Sequence, residues 1–154
     1  VYKRQSETGV KYFTLRQRWD PGAKYMPGAR ELLAKGNQRT RLKPDIGITA
    51  PADRASLASP LTETIFPRED DGLAAWIVRF GAGQEADMPD AAGTGGQYLL
   101  VADGELLLSG NAFEKWSTVF VTADEAPPRV AAGDKGLDLL VLQFPKQPGP
   151  RHAT

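Results

Sequence analysis

The chain has 154 residues, 41% of them hydrophobic and 25% charged, with no cysteine and a formal net charge of zero. That is one domain's worth of chain with ordinary soluble composition. It excludes disulfides, thiolate metal sites and a cysteine nucleophile, and no run is long enough for a transmembrane helix.

The charge is unevenly placed. Residues 1–43 hold 11 Lys/Arg against 3 Asp/Glu, and the remainder holds 8 against 16. A basic arm of this kind can bind nucleic acid, or it can pack on its own acidic domain or on a neighbouring one. No aromatic interleaving or helix-turn-helix pattern supports the first reading, so nucleic acid is not expected as a partner. The absence of cysteine suits a reducing compartment, and a cytoplasmic location is expected.

In chain order, residues 11–18 (KYFTLRQR) alternate loosely and predict a strand, which DPG breaks. Residues 29–35 are good helix formers, and Gly36 is placed as a cap. This is one short helix. From residue 37 to 60 the chain is polar and carries Pro44, Pro51 and Pro60, and APADRASLASP reads as an extended connection.

After Leu61 the pattern changes to short strands with turn signals between them. LTETIF (61–66) alternates, REDDG turns and LAAWIVRF (73–80) is a strong strand. Residues 81–96, GAGQEADMPDAAGTGG, read as a long glycine-rich loop. QYLLVA (97–102) is a strand, and Asp103-Gly104 predicts a tight hairpin from which ELLL returns. SGN (109–111) turns again. KWSTVFVTA (115–123), RVAA (129–132) and LDLLVLQF (137–144) are further strands, with GDKG as the last turn. The tail from Lys146 is Pro-rich, and disorder is expected there. Many short strands with almost no helix predict an all-β sandwich or small barrel. The apolar runs WIVRF and LLVLQF suit strands buried on both faces.

The stretch GGQYLLVADGELLLSGNAFEKWSTVFVTADEAPPRVAAGDKGLDLLVLQF (95–144) resembles the cupin family. The resemblance extends over about residues 61–145 and implies a jelly roll, or double-stranded β-helix. In it Gly104 falls at the last glycine of the first cupin motif and Gln97 at the metal-binding glutamate. The two metal-binding histidines fall within Asp90 to Gly93. In the second motif Thr122 and Asp124 take the proline and glycine positions, and Pro127 takes the histidine. All four expected metal ligands are therefore missing. The chain's one histidine, His152, lies in the tail. The resemblance thus implies a cupin without metal or other cofactor. FVTADEAPPRV is also similar to a phrase in the metal-free C-terminal cupin half of type I phosphomannose isomerases. The opening VYKRQ resembles a translated sequencing-library adapter, which marks residues 1–5 as a scar.

The expected organisation is a scar (1–5), an N-terminal extension that packs on or precedes the barrel (6–60), a cupin-like barrel (61–145) and a disordered tail (146–154). The expected function is a metal-free, non-catalytic module that binds a small polar or sugar-like molecule, or that pairs as a homodimer through sheet edges and faces. The alternative is the C-terminal fragment of a sugar-phosphate isomerase or bicupin enzyme.

Four side chains are candidates for ligand binding. Gln97 opens a strand at a motif position that faces the interior in cupins. Arg79 and Gln143 stand in otherwise apolar strands and would serve if they point inward. Trp76, with Trp116, could wall a sugar or planar ligand, although such rings more often fill a core. Glu63, Glu85, Asp87, Asp90 and Glu105 show no spacing that selects a catalytic pair. The loop 81–96 lacks the following helix that a phosphate cradle needs. A Ser-His-Asp triad would require His152 to leave its tail.

Overall fold

The computed structural model describes residues 41–146. The strand expected at 11–18, the helix expected at 29–35 and the tail with His152 lie outside them, as does most of the N-terminal extension.

The described residues form one short helix, α1 (Pro51–Ala55), and seven strands: β1 (Leu61–Phe66), β2 (Ala74–Phe80), β3 (Glu85–Asp87), β4 (Gln97–Leu108), β5 (Asn111–Glu114), β6 (Thr118–Val121) and β7 (Arg129–Gln143). All pairings are antiparallel. The expected all-β class is what the structure shows.

Two strands organise the rest. β4 and β7 are paired from Gln97 opposite Gln143 to Leu107 opposite Ala131, with irregularities between Val101 and Asp103 and between Gly104 and Leu106. On one side of these irregularities the order is β1-β2-β7-β4-β6, and on the other it is β3-β7-β4-β5. Two sheets therefore share two long bent strands, the jelly-roll arrangement expected from the sequence.

Alternation fixes which residues face inward. Val78 and Phe80 of β2, Leu99, Val101 and Leu106 of β4, and Val130, Ala132, Leu137, Leu139 and Val141 of β7 form one buried cluster between the two layers. Trp76, Leu108, Phe113 and Val119 pack against it while remaining half-buried. The opposite face of β2 and β7 is apolar too. Ile65, Ala75 and Ile77 form a second cluster with Ile46, Leu140 and Leu142 around it. Both faces of these strands are covered, which explains their continuous apolar runs.

Several turn expectations are corrected. Asp103-Gly104 is not a hairpin, because β4 continues through it to Leu108. Its glycine, at φ 83°, serves a bend within the strand. Residues 133–136 likewise lie inside β7. A Cβ on Gly104 would overlap the carbonyl of Gly136, so the two strands touch main chain to main chain where they bend. The true hairpin is Ser109-Gly110. Both residues have positive φ, 50° and 77°, as a two-residue turn of the primed type demands. The returning strand is β5, in residues not expected to be a strand. Residues 85–87, expected as loop, form β3. Residues 51–55, expected to be extended, form α1 with a proline at its N-terminal position.

The two glycines differ in a way that can be measured. Gly110→Ala meets no neighbouring atom and should cost only the left-handed backbone penalty, about 1–2 kcal/mol. Gly104→Ala adds a collision with the Gly136 carbonyl, so its loss in a urea titration should be clearly larger.

Candidate functional site

Gln97 and Gln143 lie directly opposite each other on β4 and β7. They share the inward parity of Leu99 and Val141, so both side chains stand at one end of the apolar interior. Gln97 is fully buried and Gln143 is 2% exposed. The Nε2 of Gln97 donates to the carbonyl of Pro89 at 2.8 Å, and that of Gln143 to the carbonyl of Gly72 at 2.6 Å. Each amide thereby ties down one of the loops at this end, β1–β2 and β3–β4. The two side-chain oxygens have no hydrogen-bond partner among the described residues. Leaving such a buried acceptor unpaired costs about 1–3 kcal/mol.

The loops also hold each other. Arg68 donates to the carbonyls of Asp90 and Ala92 at 3.4 and 3.3 Å. A Cβ on Gly72 would press on the Thr94 side chain. Gly95 donates to the Phe144 carbonyl, and the Phe144 N–H donates to Gly96.

Trp76 lies opposite Val141, one inward position along from the pair formed by Ala74 and Gln143, and is half-buried. It packs on the interior cluster, as the core-filling reading anticipated. Arg79 is separated from this group. It has the outward parity of Ala75 and Ile77, and its guanidinium donates to Glu63 at 2.8 Å and to the Gly47 carbonyl at 3.1 Å. That contact holds the Glu63 carboxyl below its usual range, through the hydrogen bond first and then the charge. Gln97, Gln143 and Trp76 are thus on the inner wall, and Arg79 is on the outside.

The metal implied by the cupin resemblance does not fit these residues. Gln97 offers a neutral amide, Pro127 is exposed and has no donor side chain, and Asp90 and Gly93 are exposed in the β3–β4 loop. Among the described residues no group of three or more His, Cys, Asp or Glu side chains converges.

No protein-family model matches the chain, and no curated protein does. Solved structures do. A cupin protein described as RmlC-like from Desulfovibrio desulfuricans is 15% identical, with 71% of this chain and 100% of that one covered at a TM-score of 0.49. A cupin superfamily protein from Desulfitobacterium hafniense is 16% identical over 70% of this chain and all of its own, at 0.48. The cupin domain of an XRE family transcriptional regulator from Enterobacter cloacae is 14% identical over 58% of this chain and 99% of its own, at 0.46. All three are cupin proteins.

A second polar cluster went unnoticed in the sequence. Arg54 of α1 is 1% exposed and reaches into the outer side of the bend. Its guanidinium donates to Asp103 at 2.8 Å and to the Thr49 carbonyl at 2.9 Å, and it lies 3.6 Å from Asp138. Asp138, fully buried, accepts from the Thr49 N–H at 2.6 Å. Lys115 donates to the other oxygen of Asp103 at 2.7 Å. Hydrogen bonds from Lys115 and then Arg54 hold the Asp103 carboxyl below its ordinary 3.8. The signal was present in the sequence: a carboxylate amid the leucines of LDLLVLQF needs a buried partner. Beside the cluster, α1 and the two bends bound a half-open cavity of about 800 Å³, lined by Arg54, Glu105, Glu114, Lys115 and Lys135 among others.

Arg54→Ala leaves Asp138 buried without its cation and should cost about 3–5 kcal/mol in chemical denaturation. Asp103→Asn should cost about 1–3 kcal/mol at neutral pH. The depressed Asp103 carboxyl contributes stability above its unfolded value and loses it as pH falls through the lower folded one. The gap between wild type and Asp103→Asn should therefore shrink below pH 3.8, which denaturation across a pH series would read.

Proposed function

We propose that this chain is a non-catalytic, metal-free cupin domain that binds a small polar molecule against the inner wall at Gln97, Gln143 and Trp76. The observation that carries the reading is the wall itself. Where the cupin resemblance puts a metal-binding carboxylate, the chain has Gln97, an amide paired across the sheet with a second amide and surrounded by apolar side chains. Such a wall can orient a ligand by hydrogen bonds. It has no imidazole or carboxylate set to hold iron, manganese or zinc, and it has no pair of titratable groups for acid–base catalysis. Arg79 takes no part in this reading, since its guanidinium is engaged by Glu63 on the other face.

Self-association through sheet edges is a second role, favoured by a specific observation. Leu61 on β1 and Phe120 on β6 are 50% and 45% exposed, at the two outer edges of the five-stranded layer. Edge strands carrying apolar side chains are ready templates for a second copy. Among the described residues no helix is long and apolar enough to cross a membrane.

Elemental analysis of the purified protein, loaded in turn with iron, manganese and zinc and then dialysed, should find well under one equivalent of each. Stoichiometric retention of any of them overturns the metal-free reading. Equilibrium sedimentation of wild type and Phe120→Ser tests the edge: the variant should shift the population toward monomer.

A further inference from the structure

Gln97 and Gln143 are directly opposed across the sheet, and the side-chain oxygen of each is buried and unpaired among the described residues. Directly opposed residues have Cβ atoms about 4.5–5.5 Å apart, so the two amides stem from neighbouring points on the inner wall, within the span of one small molecule. Each nitrogen gives one N–H to a loop carbonyl, Gln97 to Pro89 and Gln143 to Gly72, which fixes both amides and leaves both oxygens without a partner among the described residues. The inward residues flanking the pair are Ala74, Val121, Leu99 and Val141. None carries a charge. This subsite therefore offers two unpaired acceptors and no counter-charge.

We infer that the Gln97–Gln143 pair is a twin-acceptor subsite for a neutral molecule presenting two adjacent N–H or O–H donors, such as a primary amide, a urea or a vicinal diol. This rests on the ligand-binding reading above and narrows it. An anion would meet two carbonyl dipoles with their negative ends toward it. A cation would be buried with no opposite charge. A neutral double donor satisfies both orphan oxygens at once. Entry is through the loops that the same two glutamines hold. The β1–β2 loop is tied at Gly72 and the β3–β4 loop at Pro89, and on the solvent side they are bridged by the two long Arg68 contacts. Those contacts are long, at 3.4 and 3.3 Å, and parting them opens the way to the amides.

The test uses the full chain, isotopically labelled, followed by NMR at the side-chain amides of both glutamines and the Trp76 indole. The probes are methylurea, 1,2-propanediol and, as an acceptor-only control, acetate. Methylurea or propanediol should shift both glutamine amides saturably with one shared midpoint, and acetate should leave them in place. Gln97→Met and Gln143→Met should each weaken that midpoint roughly tenfold. Arg68→Ala should speed exchange with the probe and leave the midpoint nearly unchanged. Glutamine signals that stay put up to the probes' solubility limits overturn the inference, and the wild-type titration decides this even if a Met variant fails to fold. A slowly exchanging water in contact with both amides that no probe displaces overturns it too, since the pair is then a structural water site. If the Trp76 indole shifts while the glutamines do not, the inner wall binds ligand elsewhere. The broader reading then stands and the twin-acceptor assignment falls.

Discussion

Because β4 and β7 are hydrogen-bonded to each other along almost their whole length, neither can bend without the other. The chain meets this constraint with glycine at the contact, Gly104 against Gly136, where no side chain fits between the strands. One bend makes two layers from one ribbon. The halves before and after it face each other, so Leu99 and Val101 come to share a core with Leu106 of the same strand, and Leu139 and Val141 share it with Val130. The amide pair, the loops it ties and the buried ion cluster all take their positions from this paired bend.

The two polar clusters solve opposite problems. On the outer side of the bend, Arg54 and Lys115 meet Asp103 and Asp138 through hydrogen bonds and ion pairs, although Arg54 Nε and Asp138 Oδ1 have no hydrogen-bond partner among the described residues. That cluster fixes α1 and the preceding segment to the sheet, where exact pairing matters because unpaired buried charge is costly. On the inner side, Gln97 and Gln143 are neutral and half satisfied. A neutral pair tolerates a free acceptor at modest cost and leaves it open to a ligand, whereas a buried carboxylate such as Asp138 is tolerable only beside a cation such as Arg54.

Strand existence was legible in the sequence wherever hydrophobic alternation or continuous apolar runs were strong. LTETIF, LAAWIVRF, QYLLVA and LDLLVLQF each lie in a strand to within one residue. What failed was the meaning of glycine. Asp103-Gly104 and residues 133–136 carry the chemistry of a turn, and positive φ is indeed needed at Gly104 and Gly136. A bend shared by two paired strands needs it as much as a hairpin does, and only the long-range register tells them apart. The same gap affected the site. Gln97 and Gln143 stood out as polar residues in apolar strands, yet nothing local shows that residues 46 positions apart are cross-strand neighbours. Arg79 stood out equally, and parity placed it on the other face. Arg54 was missed because its partners lie in other strands, and α1 is too short for periodicity to register.

β7 is the last of the described strands, yet it lies in the middle of both layers, between β2 and β4 in one and between β3 and β4 in the other. During synthesis β2 and β4 therefore leave the ribosome with an apolar face and an unpaired edge each, and they wait until their common partner is made. Among the described strands the earlier pairings are β1 with β2 and β4 with the short β5 and β6, and small pairings of this kind are marginal at best. Folding of this domain is a single late event with long loop closures. A ribosome stalled before Leu137 would leave not a partly folded barrel but two strand edges open to any passing chain.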